Sequence, residues 1–379
     1  MRKRNLLAVL LCGIILTACT KPSGPVENTG NATYEQTTED GSTEASTEIS
    51  GEGASTDGAS NASTDASSDS STVSEESVVS DEDFSFNPHV SPKKLYDAYG
   101  AEEWETFFKL CDALRAGEDT FECPSREIYE WCFSGAPLDE YMPVARHNTE
   151  MNFTDGYTDG VGHITYEIPK DEFVKKQKEF EKTVMDIVNE NVDKDYTDFE
   201  KCIALYEYMV NNYAYDYEEL QYCDVSKMND LPAGTYGTYR TFRDKKGVCD
   251  DLSSVYNYLL LQCGVDAVKY EGNVFGEGHA WTYVTIDGVG YFIDPTWGLP
   301  DQSGTDLQYF MMTSADREPE FSDMHPLTIY YDHKNTGIDF TATDDRYAVL
   351  HEGEFQSLDI KTKTLYYKVG TETKEFHYE

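Results

Sequence analysis

Positive charge is scarce in this sequence: 30 Lys and Arg stand against 71 Asp and Glu, a formal net charge of -41. Without the first 84 residues, 56 acids and 26 basic residues remain, a net of about -30. Nucleic acid and anionic lipid head groups are repelled by such a chain, so no nucleic-acid role is expected. The plain reading is a solvated acidic surface, with attraction of basic substrates as the other. Metal-binding spacings are missing as well. Cys123 and Cys132 lack the second close pair a zinc site needs, and Asp193, Asp195 and Asp198 lack the Gly and final Glu of a calcium loop in register. No metal and no cofactor is therefore expected. There is no internal repeat to suggest a solenoid.

A long hydrophobic run is also absent at the start. Arg2, Lys3 and Arg4 precede the apolar stretch Leu6 to Leu16, which is too short to cross a bilayer and reads as a secretory signal. Leu16-Thr17-Ala18-Cys19 resembles the bacterial lipobox. That resemblance implies a lipoprotein signal peptide over 1–18, cleavage before Cys19 and a lipid thioether on its sulfur. An ordinary signal peptide cut nearby is the other reading. From 19 to 84 the chain is Ser, Thr, Gly, Asp, Glu, Asn and Ala with almost no large apolar side chain. Nothing there offsets the entropy of ordering, so a disordered linker spanning roughly 45 Å is expected, a tether for the folded part.

Seven cysteines follow Cys19: Cys111, Cys123, Cys132, Cys202, Cys223, Cys249 and Cys263. An odd number leaves at least one thiol free unless it pairs between molecules, and Cys249 is the natural candidate. An exported protein could pair the other six, and an anaerobic source would leave them reduced.

Residues 85–379 suffice for one large core with attachments. Trp104, Phe107, Phe108, Cys111 and Leu114 form a helical stripe, and Met151 to Ile168 reads as a hairpin around the Gly-rich Asp155 to Gly162. Phe173, Phe180, Val184, Ile187 and Val188 mark a second helix. Thr197 and Glu200 form a capping box for a third, through Cys202, Ile203, Tyr206, Met209 and Val210. The Tyr- and Gly-rich stretch Tyr217 to Arg243 either walls a cleft or packs on a helix. Tyr309 to Met312 reads as a buried strand, His325 as a surface histidine, and Thr364 to Val369 as part of a terminal β segment.

The chemistry gathers between Gly247 and Trp297. After Cys249, Leu252, Val255, Tyr256, Leu259 and Leu260 recur at three- and four-residue steps, with Gly264 beyond. A helix of about a dozen residues therefore starts at Cys249, where the dipole and unpaired amides favour a thiolate. Ala280 to Ile286 and Val289 to Ile293 read as strands, and Asp287-Gly288 between them as a two-residue turn. Counting back from Ile286 opposite Val289 sets Trp281 against Asp294 and His279 against Thr296. His279 and Asp294 then become diagonal neighbours on one face. A thiolate at a helix start, a proton-exchanging His and an Asp that fixes its tautomer make the triad of acyl transfer.

These residues match a family. Gly247-Val248-Cys249-Asp250-Asp251-Leu252-Ser253, Gly264, Gly272, Gly278-His279-Ala280-Trp281 and Asp294-Pro295-Thr296-Trp297 resemble the bacterial transglutaminase-like superfamily, whose core is papain-like. The resemblance implies Cys249 as nucleophile, His279 as general base and acid, and Asp294 as orienter. Many relatives carry a Tyr about ten residues before the Cys, a place that Tyr239 fills here as a candidate oxyanion donor. Many also carry Gly-Tyr-Ala after the Cys, where this chain has Asp251-Leu252-Ser253. Trp281, Trp297 and Asp251 are candidate cleft residues.

The expected fold class is α+β: a papain-like, transglutaminase-like core at 197–330, an N-terminal α+β extension at 85–196 that is mainly helical, and extra β-strands at 331–379. The expected protein is a lipid-anchored, extracytoplasmic bacterial thiol enzyme acting on peptide or protein amides. Water as acceptor makes a peptidase or amidase, and a lysine amine makes a cross-linking enzyme; bacterial relatives favour hydrolysis. The competing reading is an inert surface module that uses the old cleft to bind peptide or cell-wall material. A purely structural lipoprotein comes third. The expected partners are a peptide or protein substrate and, through the lipid on Cys19, the membrane.

Overall fold

The computed structural model describes residues 83–222, 234–274, 277–301, 306–317, 321–326 and 338–379. The expected signal, nearly all of the linker, Cys19 and Cys223 lie outside the described residues, as does the side chain of His325. Near the start of the described residues, the Phe84 backbone N–H and C=O both bond the Asn189 amide, at 2.7 and 3.1 Å.

The first helices are α1 (Lys93–Tyr99), α2 (Ala101–Ala116), α3 (Arg126–Cys132) and α4 (Gly135–Tyr141). Trp104, Phe107, Leu110, Cys111 and Leu114 of α2 are buried, as the stripe predicts. The strand β1 (Thr120–Glu122) pairs with the hairpin β3 (Tyr157–Thr158) and β4 (Val161–His163), and β2 (Thr149–Glu150) pairs with β5 (Thr165–Tyr166). The hairpin turns through Asp159 and Gly160, within the expected Gly-rich stretch.

Two longer helices follow, α5 (Lys170–Asn191) and α6 (Asp198–Asn212). The capping box opens α6: Thr197 accepts from the Glu200 N–H, and Glu200 accepts from the Thr197 N–H. Next, β6 (Ala214–Tyr215), the single-turn α7 (Tyr217–Leu220) and α8 (Thr238–Asp244) lead to β7 (Lys246–Gly247), which runs parallel to β6.

The central element is α9 (Cys249–Gln262), with 13 of its 14 residues buried. A helix buried all round must be covered on every side. Here β8 (Asp266–Val274) and β9 (Glu277–Ile286) lie against it, along with α4, α5, α6 and α8. The sheet has the antiparallel order β10-β9-β8-β11, with β10 at Val289–Ile293 and β11 at Phe321–Pro326. Asp287 and Gly288 both have positive φ, 51° and 80°, as a type I′ turn requires. Ile286 accordingly pairs with Val289, and the register runs back to Thr282 opposite Ile293.

After β10 the chain forms a 3-10 turn at Asp306–Tyr309 and the short α10 (Ser314–Arg317). The strand expected over Tyr309 to Met312 does not form. These residues are buried as foreseen, but Met311 has φ of 55°, which an extended strand cannot hold, and only Met312 bridges to Phe292. At the end β12 (Glu354–Asp359), β13 (Thr364–Val369) and β14 (Glu372–His377) form a separate antiparallel sheet. The class is α+β, with the extra terminal strands the sequence suggests. No described helix is long and apolar enough to cross a membrane.

Candidate active site

Cys249 opens α9, and the parallel pairing of β6 with β7 sets the chain just before it. Gly247 is needed there, because a Cβ would come within 2.7 Å of Thr241 Oγ1 and 2.8 Å of Asp251 Cβ. His279 lies on β9, directly across from Gly272 on β8, and Asp294 follows the last residue of β10.

The turn parity has its expected consequence. His279 Nε2 lies 2.6 Å from Asp294 Oδ2, and the Cys249 side chain hydrogen-bonds the same imidazole. With Nε2 facing the carboxylate, Nδ1 is the nitrogen left for the thiol. The other Asp294 oxygen, Oδ1, accepts from the backbone N–H groups of Thr296 and Trp297, at 3.0 and 3.1 Å. Cys249, His279 and Asp294 are 2, 3 and 0% exposed, so water competes little for these contacts.

Burial disfavours the imidazolium, yet the Asp294 charge, its hydrogen bond and the Cys249 contact outweigh it and hold His279 at about 9. Asp294 is likewise penalised by burial, but His279 and Arg317 draw its carboxyl down to about 2. Asp294 therefore stays ionised beside a ring that keeps its proton, which leaves the nitrogen facing Cys249 as the one that can exchange a proton.

Arg317, at the end of α10, carries no motif in the sequence and was not foreseen. Its Nη2 donates to Asp294 Oδ2 at 2.8 Å, the oxygen that His279 also uses. Trp281 and Trp297 flank both cationic groups. They stack on His279 with centroids 5.7 and 4.6 Å away, and the guanidinium lies 4.8 and 5.4 Å from the same two rings. Both Trp side chains are buried, at 0 and 6% exposure. The two Trp residues that the sequence places in a cleft thus brace the His and the Arg.

The remaining candidates lie elsewhere. Tyr239 packs edge-on against Phe180 of α5, 5.8 Å between centroids, and its described contacts do not include the triad. Asp251 is buried in the first turn of α9 and shares a hydrogen bond with Glu219. Burial first, then the Glu219 and Asp250 charges, push its carboxyl well above the usual range. Beside it, Asp216 and Glu219 both pair with the buried Arg240. These groups border a cavity of about 450 Å³ lined by Asp216, Glu218, Glu219, Tyr222, Thr235 and Arg240 among others. Carboxylate oxygens of Asp139, Asp250 and Asp251 lie within 4.8 Å of one another. That group already has a cation in Lys269, whose Nζ is 2.6 Å from Asp250 and 3.3 Å from Glu140, so no metal is assigned to it. Among the described residues six cysteines carry thiols rather than disulfides: Cys111, Cys123, Cys132, Cys202, Cys249 and Cys263.

Residues 185–294 match the family model of the transglutaminase-like superfamily, a stretch that ends on Asp294. No curated protein matches the chain. Among solved structures the chain is similar to a TGase, with 19% identity over 37% of this chain and 36% of that one, TM-score 0.28. A Cytophaga hutchinsonii protein provisionally named a cysteine protease shares 17% identity over 32% of this chain and 37% of its own, TM-score 0.24. Legionella pneumophila LapG shares 10% over 44% and 89%, TM-score 0.26. The chain thus spans little more than a third of the first two. At TM-scores this low the likenesses establish neither fold nor activity.

Proposed function

We propose, on the match of residues 185–294 to the transglutaminase-like family model, that this protein is a thiol-dependent acyl-transfer enzyme acting on peptide or protein amides, held outside the cytoplasmic membrane by a lipid on Cys19. The single observation that carries the reading is the His279 ring, in contact with Asp294 at 2.6 Å and with the Cys249 side chain at the start of a buried helix. Cys249 attacks the amide carbon as thiolate, forming the S–C bond. The imidazolium of His279 gives its proton to the leaving nitrogen as the C–N bond breaks, and Asp294 holds the ring in the required tautomer. Water, losing a proton to His279, then attacks the acyl carbon; the C–O bond forms, the S–C bond breaks, and the acid leaves with Cys249 again a thiolate. An amine in place of water would give a cross-link. Hydrolysis is the preferred outcome. No substrate is proposed beyond the class of peptide or protein amides.

The test is the rate of iodoacetamide alkylation at Cys249 against pH, read by peptide mass spectrometry. In the wild type labelling is fast at or below neutrality, and His279→Ala slows it by about tenfold or more. A midpoint near the ordinary thiol value of about 8.5, unmoved by His279→Ala, would leave the inert binding module as the better reading. Amide turnover with and without an added fluorescent amine then separates hydrolysis from cross-linking, and both are lost in Cys249→Ala.

A further inference from the structure

We infer that Arg317 is a positioning residue that sets the pH range in which the Cys249–His279 pair is reactive, by sharing one carboxylate oxygen of Asp294 with the imidazole. The inference rests on the proposed thiol chemistry and deepens it.

The geometry is specific. Arg317 Nη2 and His279 Nε2 meet the same Oδ2 atom, at 2.8 and 2.6 Å, and Trp281 and Trp297 lie against both cationic groups. Arg317 is 0% exposed. The turn that bears it is fastened at both ends of its first residues. Thr313 N–H and Oγ1 donate to Asp316 Oδ2, each at 2.7 Å, and the Asp316 N–H returns to Thr313 Oγ1 at 3.2 Å. Ser314 N–H donates to the Ala342 C=O at 2.7 Å, and the Ala342 N–H to Ser314 Oγ at 3.0 Å. The guanidinium is therefore delivered to Asp294 by a braced element.

Charge accounting gives the consequence. In the reactive form the site holds a thiolate, an imidazolium, the Asp294 carboxylate and the Arg317 guanidinium, which sum to zero. Without the guanidinium the same form carries a net negative charge in a site closed to water, and an uncompensated buried charge is costly. A fixed positive charge favours the deprotonated state of every group near it. Arg317 thus lowers both steps of the coupled Cys–His titration, the one that creates the thiolate and the one that strips the imidazolium. Removing the charge moves both upward, shifting the active window toward alkaline pH without changing its shape. The other ionisable groups on the elements that carry the site remain the same in every variant. Among the described residues they include Asp250 and Asp251 on α9, Lys269 and Glu271 on β8 and Asp316 on α10, and Tyr206 on α6, whose phenol feels the Asp294 charge.

The experiment compares full-length wild type, Arg317→Gln and Arg317→Lys by the pH dependence of iodoacetamide labelling at Cys249, with circular dichroism to show that each is folded. Glutamine keeps a donor for Asp294 and removes the charge; lysine keeps the charge. The glutamine variant is expected to raise the labelling midpoint by about one to two pH units, roughly tenfold slower labelling or more at a pH below the wild-type midpoint. The lysine variant is expected to stay within about half a unit of wild type. A glutamine variant whose maximal rate falls while its midpoint stays in place overturns the inference and reduces Arg317 to packing. If the glutamine variant does not fold, lysine decides: a midpoint held in place supports the assignment, and one raised by about a unit or more overturns it. A wild type with an ordinary thiol midpoint and no dependence on His279 is a different failure. That result removes the proposed function itself, and the inference with it.

Discussion

Burial and charge oppose one another at single side chains throughout this protein, and the outcome depends on the partner. At His279 a carboxylate wins and the ring holds its proton to about 9. At Glu207, on α6, no cation acts among the described residues. There its Oε1 has no hydrogen-bond partner, and burial followed by the Asp306 charge lifts its carboxyl from 4.5 to about 8. The folded protein therefore keeps a proton that the unfolded chain gives up above about 4.5. Stability from this group is complete below that pH and drains away as pH rises toward 8. Glu207→Gln removes the titration. Relative to wild type, the variant should be indistinguishable in this respect at pH 4 and gain roughly 1–3 kcal/mol by pH 8, measured by urea unfolding at each pH. A stability difference that is constant across the range would show that Glu207 does not titrate in this way. The meeting of Cys249, His279 and Asp294 was legible from residue types and turn parity. Arg317 was not, because an arginine on a four-residue turn has no local pattern to mark it.

At the scale of elements, α6 shows how a local signal acquires a distant partner. Thr197 and Glu200 announce its start in sequence, and both halves of the capping box form. The structure adds Tyr378, whose hydroxyl donates to Glu200 Oε1, and Lys363, 3.2 Å from the same oxygen. The C-terminal sheet is thereby bonded to the helix that packs on α9. Tyr378→Phe should cost about 1 kcal/mol and Thr197→Ala about the same. Hydrogen exchange at the first turn of α6 should speed up in both, with the β9–β10 amides unaffected. Equal loosening at the first turn and in the sheet would argue that the terminal strands stabilise the molecule only globally. The β9–β10 hairpin was readable because Asp287-Gly288 dictates its register. The Tyr309 to Met312 segment was misread because an apolar run shows burial and conceals a positive φ at Met311.

For the whole molecule the decisive proposals concern placement and charge. Anchoring predicts that radiolabelled fatty acid is incorporated into wild type in a bacterial host, and that Cys19→Ser loses the label and moves to the soluble fraction. Unlabelled wild type in the soluble fraction would point instead to an ordinary signal peptide. The acidic excess, -41 overall, is managed near α9 by a few buried cations, with Arg240 between Asp216 and Glu219 and Lys269 between Asp250 and Glu140. By itself the sequence determined what short-range rules govern: helix periods, a capping box, a two-residue turn, and with them a His and an Asp on one face of a hairpin. Tertiary structure alone decided which groups come from afar to meet them. Arg317 reaches Asp294 across 23 residues and Tyr378 reaches Glu200 across 178. Such pairings depend on how the packed core closes, and no spacing along the chain encodes them.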